Sequence, residues 1–366
     1  MDNQKHPLSA KKIALFVLYG FIALSLLITV LSFGDLPAIA EKLRTVRLEY
    51  VALALASILV YMAIYPLSLC ILSRARGTGI GFTTAYVIGS TEHFFNCITP
   101  LATGGQPFQA HSLYRLKVKI SESTGLLLAN LLIFMLVTTG YSLVGLFFWD
   151  ELTAHTALFW KIVIAVGYSL NILVLVMIFV LGASHRLRDA LVRFVRFLAR
   201  LRPLRSLEAR ADSIRLYFEQ VQDAFSDLMH KRWHFLLALL TKAVAFAFLY
   251  GSTYFALLSL GVAADPVHIP LLLFGASFAV TAVGFVPTPG ASGGVEGVAA
   301  QVFGSIVMLL AHGTTVSEAS VVANGVMLVW RLASYYFVIF VSLLFYIALE
   351  IWLKRRERAE KASRAE

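Results

Sequence analysis

The chain is 366 residues long, 59% hydrophobic and 14% charged, with a mean hydropathy of +0.78 and a formal net charge of +10. A soluble globular domain carries about a quarter charged residues, so this composition excludes that class and points to an all-α polytopic membrane protein. The two cysteines, Cys70 and Cys97, lie in apolar segments far from any ligand cluster, which excludes a disulfide framework and a cysteine metal site.

In chain order, a basic N-terminus (1–12, with Lys5, Lys11 and Lys12) precedes the apolar run Ile13–Phe33. The small-residue triplet at 38–40 imitates a signal-cleavage site. The run is too long for a signal core and the triplet lies well past it, so an uncleaved span is expected. Further spans are expected over Tyr50–Ser73, Thr124–Trp149, Leu158–Leu181, Trp233–Leu260 and Ser320–Trp352, each sufficient for a bilayer core that takes about 20 helical residues. Two other apolar stretches are interrupted. One, near 81–110, contains Pro100, Gly104, Gly105 and Pro107; the other, near 269–311, contains Gly284, Pro287, Pro289, Gly290, Gly293, Gly294 and Gly297. Proline removes a helix donor and glycine weakens the helix. In lipid the freed backbone groups need protein or cavity water, so these breaks are expected to face a bundle interior.

Charges in the loops orient the spans. Arg74 and Arg76 on one side of the first broken stretch, and Arg115, Lys117 and Lys119 on the other, are expected to be cytoplasmic, which makes that stretch a re-entrant hairpin. Asp150, Glu151 and Asp265 are expected outside. The segment 183–232, with eleven Lys/Arg and six Asp/Glu, and the basic tail 353–366 are expected inside. The second broken stretch has no Lys or Arg and reads as re-entrant from the outside. One loop, 34–49, dissents mildly, because Lys42, Arg44 and Arg47 there face Asp35, Glu41 and Glu49.

The two breaks share a heptapeptide. Residues 99–105 read TPLATGG and residues 288–294 read TPGASGG, with five identities and a Thr/Ser pair. The expected organisation is therefore about six full transmembrane helices plus two re-entrant broken helices in inverted-topology repeats. The first repeat is 13–149. A connector and fourth span, 150–182, lead through the basic segment 183–232 to the rest of the second repeat, 233–352. Paired breaks in corresponding places point to the binding site of a transporter. The alternative is two unrelated kinks.

The stretches TPLATGGQPFQAHSLYR and VPTPGASGGVEG together resemble the flippase-like membrane region of the lysylphosphatidylglycerol synthase family, also found in the multiple peptide resistance factor. The resemblance spans about 10–350. It rests on Gly104, Gly105 and Pro107 in the first stretch, on Pro287, Thr288, Pro289, Gly290, Gly293 and Glu296 in the second, and on Arg331 in the last helix. It implies a translocator of lipid or lipid-linked headgroups. The chain ends about 14 residues beyond the last span, so the aminoacyl-transferase domain of the full synthase is expected to be absent, and with it lipid aminoacylation.

Few charges fall inside the expected spans, and each costs about 2.5–3.5 kcal/mol to insert, so each is a functional candidate. Arg331 and Lys242 are candidate headgroup contacts; a guanidinium suits phosphate because it binds bidentately. Both breaks supply candidate substrate-binding residues: Thr99, Gly104, Gly105, Gln106 and Pro107, and Pro287, Thr288, Pro289, Gly293 and Gly294, where helix N-termini favour anions. Arg331 has an alternative role as the ion-pair partner of Glu296 or Glu92, and Lys242 as a snorkelling surface cation. Glu92 and Glu296 are candidate coupling carboxylates, or acceptors for backbone N–H groups in the breaks. His93 and His111 read as satisfied polar residues. Arg186, Arg193, Arg196 and Arg200 lie on a basic amphipathic helix opposite Leu187, Leu191, Phe194, Leu198 and Leu201, the pattern of a helix resting on an anionic leaflet.

The function expected is translocation of an anionic phospholipid or lipid-linked headgroup across a cell (inner) membrane, with both termini cytoplasmic. No nucleotide-binding, zinc-protease or serine-nucleophile motif occurs, so no ATP hydrolysis, cofactor, metal or catalysis by this chain is expected, nor nucleic-acid binding. The rival readings are a membrane-embedded lipid-modifying enzyme, with TEH at 91–93 as its only candidate centre, and a non-transporting partner of a lipid-modifying or glycosyl-transferring enzyme. Protein partners left open are a second copy of the chain and such an enzyme.

Overall fold

The computed structural model describes residues 36–183, 230–311 and 313–362, with isolated residues between 20 and 27 and between 189 and 226. The described residues form helices and no strand. The expected first span, Ile13–Phe33, lies almost wholly outside them. Of the expected amphipathic face, Arg186 and Arg200 lie outside, while Arg193 and Arg196 are described, helical and exposed.

A short helix α1 (Leu36–Arg44) leads into α2 (Leu48–Ile64) and α3 (Leu67–Arg76). These two make one membrane-length rod, Leu48–Arg76, bent at Tyr65–Pro66. Pro66 stands at the N-cap of α3, where its missing N–H costs no intrahelical bond. Gly77, in the left-handed region at φ +66°, ends α3. The first broken stretch becomes α4 (Phe82–Ile98) and α5 (Gly105–Arg115), and α6 (Ile120–Gly145) follows. A short α7 (Trp149–Thr153) and the long α8 (Leu158–Ala183) complete the first part. After the basic segment come α9 (Arg232–Ser259), the second broken pair α10 (Ile269–Ala282) and α11 (Gly294–Leu310), and α12 (Val316–Arg331). A π-helical turn, Leu332–Phe337, joins α12 to α13 (Val338–Ala362). The last rod thus runs over 316–362, beyond the 320–352 expected from sequence, because the charged tail continues the helix. Five of the described helical rods are long and apolar enough to cross a membrane; α10 and α11 are apolar but shorter.

Packing repeats itself between the two halves. α2 lies along α9; α4 packs on α13 as α10 packs on α6; and α4 with α5, like α10 with α11, form adjacent pairs. The core between them is apolar, with Ile58, Ile88, Leu126, Phe278 and Phe303 fully buried. A separate aromatic cluster of Phe94, Tyr335 and Ile339, with Phe95 and Tyr346 against it, fills the seam between α4 and α13.

Candidate functional site

The repeated heptapeptide folds into the same turn twice. In the first copy the N–H groups of Ala102 and Thr103 donate to the carbonyls of Thr99 and Pro100; in the second, Ala291 and Ser292 donate to Thr288 and Pro289. The hydroxyl at the fifth position repeats the pattern, since Thr103 Oγ1 donates to Pro100 O at 3.0 Å and Ser292 Oγ to Pro289 O at 2.8 Å. This gives a physical reason for the Thr/Ser match. The third and fourth positions are left-handed in both copies: Leu101 and Ala102 at φ +55° and +52°, Gly290 and Ala291 at +60° and +51°. The two turns also meet, through an isolated antiparallel backbone bridge between Pro100 and Pro289.

What secures each turn differs. At the second, Glu296 Oε2 accepts the Gly293 N–H at 2.6 Å, and its Oε1 accepts from Arg331 Nε at 2.7 Å. Arg331 Nη2 donates to Gly290 O at 2.8 Å and to Ser292 Oγ at 3.4 Å. Its guanidinium lies 4.4 Å from the centre of the Tyr335 ring. Both charges are buried, with Arg331 5% and Glu296 1% exposed. Tyr335 in turn donates to Cys97 O, in the last turn of α4, at 2.9 Å. A methyl group at Gly290 would stand 2.2 Å from the Tyr335 ring, so only glycine fits there.

The first turn has no comparable cation on it. Gly104 N–H donates to Thr99 Oγ1 at 2.8 Å and Gly105 N–H to Asn96 Oδ1 at 2.9 Å, both neutral acceptors. Glu92 borders the turn, its Cγ 2.8 Å from where a Gly105 Cβ would be. Its Oε2 accepts from Gln109 Nε2 at 3.3 Å and Asn130 Nδ2 at 3.5 Å, and Asn130 Oδ1 accepts from Ser68 Oγ. Across from this network, α9 delivers Lys242, fully buried at 0% exposure. Its Nζ lies 3.4 Å over the Tyr65 ring and meets no hydrogen-bond acceptor among the described residues. His93 packs beside it, its ring 4.2 Å from that of Tyr65 and its Nδ1 3.4 Å from Tyr61 Oη, while Nε2 has no hydrogen-bond partner there. The buried ammonium is thus compensated by the Tyr65 ring face and by the charge of nearby Glu92 rather than by a hydrogen bond.

The expected site residues therefore fall into two groups. Gly105 borders Glu92, Thr99 and Gly104 are hydrogen-bonded to each other in the first turn, and Gln106 and Pro107 lie in the first turn of α5, with Pro107 exposed. Arg331 meets Glu296, while Thr288, Pro289, Gly293 and Gly294 belong to the turn it holds through Gly290 and Ser292, and Pro287 is exposed at its edge. Cys97 is only half-buried, where an interior thiol was expected. Tyr61, Tyr65, Asn96, Gln109, Asn130 and Tyr335 were not singled out from sequence. Tyr335 shares a helix face with Arg331, four residues earlier, and Gln109 and Asn130 are amides near or within an apolar span, so each left a readable trace. No group of three His, Cys, Asp or Glu side chains gathers into a metal site among the described residues.

The sequence pattern of the lysylphosphatidylglycerol synthase TM region matches residues 13–342. No curated protein and no solved structure matches the chain.

Proposed function

This chain belongs to the family of the lysylphosphatidylglycerol synthase transmembrane region, a multi-pass membrane family tied to phospholipid, and on that premise we propose that it is a lipid translocator. It moves an anionic phospholipid or lipid-linked headgroup between leaflets and neither hydrolyses ATP nor modifies the lipid. The observation that carries this reading is the meeting of two like-coded backbone breaks together with a fully buried ammonium, facing Glu92 at the first break, that has no hydrogen-bond acceptor among the described residues. Irregular backbone at membrane depth persists where it lines a cavity or is buried in protein, and paired breaks mark transporter sites.

In this reading the breaks are re-entrant from opposite faces of the cell membrane, and both termini are cytoplasmic. Lys242 receives the headgroup phosphate, and Glu92 is the carboxylate that balances it when the headgroup has left. Arg331 is a strut, since its donors are already engaged by Glu296, Gly290 and Ser292.

Reconstitution into vesicles tests the proposal. Wild-type protein is expected to expose a fluorescent anionic phospholipid of the inner leaflet to an impermeant quencher, while Lys242→Met does not. Equal exposure with and without protein sinks the translocator reading, and a change in lipid mass puts a lipid-modifying enzyme in its place. Impermeant thiol labelling of Thr103→Cys and Phe285→Cys, in a background lacking Cys70 and Cys97, checks the topology: labelling from one and the same side overturns it.

A further inference from the structure

The other end of the first broken pair carries a second site. α5 ends at Arg115 and α6 begins at Ile120, with Lys117 between them in the left-handed region at φ +63°. Tyr114, Arg115, Lys117, Val118, Lys119 and Ile120 line a cavity of about 480 Å³ there. Three cations within five residues face it, while Tyr114 and Ile120 stand 65% and 69% exposed beside them. That combination, cations with an aromatic and an aliphatic side chain at a helix end, is the chemistry of a membrane interface.

Two of its three cations already carry anions from α13. Arg115, whose side chain is only 15% exposed, donates from Nη1 to Glu350 at 2.6 Å and from Nε to Glu357 at 2.8 Å. Lys117 pairs with Glu360. Glu350, Glu357 and Glu360 share one face of α13, on which Lys354 also lies, and Glu360 pairs with Arg356 as well; Arg355 and Arg358 are exposed on the rest of the helix. A helix that is basic overall thus turns these glutamates to the cradle. Carboxylate on guanidinium is the geometry a phosphate also takes, with an oxygen for each N–H.

We propose that this cradle is a binding site for the phosphate of anionic lipid headgroups, and that Glu350, Glu357 and Glu360 are its built-in competitors. Headgroup phosphates exchange for the glutamates on Arg115 and Lys117, and the tail helix leaves the end of α5. In an anionic leaflet the cradle keeps its counter-charge, and the exposed Lys354, Arg355 and Arg358 draw the tail toward the same phosphates against the cost of unpairing the glutamates. The site is separate from the Glu92–Lys242 centre, and its test needs no transport.

Spin labels at Thr83→Cys on α4 and Ala359→Cys on α13, in a background lacking Cys70 and Cys97, report the latch. In phosphatidylcholine vesicles a single short distance is expected. In vesicles with phosphatidylglycerol a longer-distance population is expected to appear and grow with the anionic fraction. Arg115→Gln combined with Lys117→Gln is expected to give the long distance in both. A distance that ignores phosphatidylglycerol overturns the proposal. So does release in phosphatidylcholine by millimolar inorganic phosphate alone, which assigns the cradle to a soluble anion. A lipid response that survives in the double variant also overturns it, because the lipid then acts elsewhere.

Discussion

The two breaks are written in nearly the same seven letters and fold into the same hydrogen-bonded turn, yet only one of them has its buried carboxylate and cation joined. The second is neutral and locked: Glu296 caps Gly293 and pairs with Arg331, which also holds Gly290 and Ser292. The first is held by the neutral oxygens of Thr99 and Asn96, and near it the Lys242 ammonium makes no hydrogen bond among the described residues, to Glu92 or to any other acceptor. The backbones part company at the first glycine of the pair, where Gly104 is helical at φ −82° and Gly293 stands at +90°. Glu296, three residues into α11, is what draws the Gly293 N–H round. The motif therefore encodes the turn, and the side chains outside it decide how each turn is held.

The largest effect should come from unlocking the joint. Arg331→Ala leaves Glu296 buried without its cation, a change that costs about 3–5 kcal/mol. A large fall in melting temperature is expected, partly restored in Arg331→Ala/Glu296→Gln. An unchanged melt for the single variant would show that the pair holds nothing. Lys242→Met likewise leaves a buried carboxylate, Glu92, without its balancing cation, so the single variant should also lose stability, and Lys242→Met/Glu92→Gln should return to within about 1 kcal/mol of wild type while lipid movement is lost in both. Normal transport by Lys242→Met would move the site to the other break.

Exchanging the third residues of the two turns gives smaller and opposite shifts. Gly290→Leu forces a side chain into the left-handed region and onto the Tyr335 ring, at a cost of about 2–4 kcal/mol. Leu101 already sits in that region and is half exposed, so Leu101→Gly relieves strain and loses little packing; stability should be unchanged or higher by up to about 1 kcal/mol. Thermal melts of the two variants decide it. Destabilisation by both would mean that the turns do not share a backbone.

Much of this architecture was legible before the structure. The spans and the two breaks follow from apolar run length and from Pro and Gly, and the Thr/Ser match at the fifth position of the heptapeptide has its cause in one hydroxyl bond. Pro66 left no mark on the reading of Tyr50–Ser73, because a proline in the first turn of a helix bends the rod without ending the apolar run. The π-helical turn at Leu332–Phe337 has neither Pro nor Gly to announce it. The meeting of Pro100 with Pro289 depends on how the halves pack, and no local pattern encodes that. The choice of partner for Arg331 was of the same kind: Glu92 and Glu296 were equal candidates in sequence, and only the approach of α12 to α11 brings Glu296 within 2.7 Å.

The smallest effect separates the surface charges at the end of α5 from the buried pair at the second turn. The tail pairs on Arg115 and Lys117 involve partly exposed side chains, with Glu357 at 47% and Lys117 at 63%, so salt reaches them. Attraction between such charges falls away beyond about 3 Å at 1 M ionic strength, against about 10 Å at 0.1 M. Glu357→Gln/Glu360→Gln is therefore expected to lower the melting temperature slightly in dilute buffer and not at all in 1 M salt. Glu296→Gln, whose partner is 6% exposed and whose own side chain is fully buried, should cost the same in both. Melts of the two variants at the two salt concentrations make the check. If the cost of Glu296→Gln fades with salt as the tail pairs do, water reaches the Arg331 joint, and the contrast between a locked second break and an open first one fails at its electrostatic root.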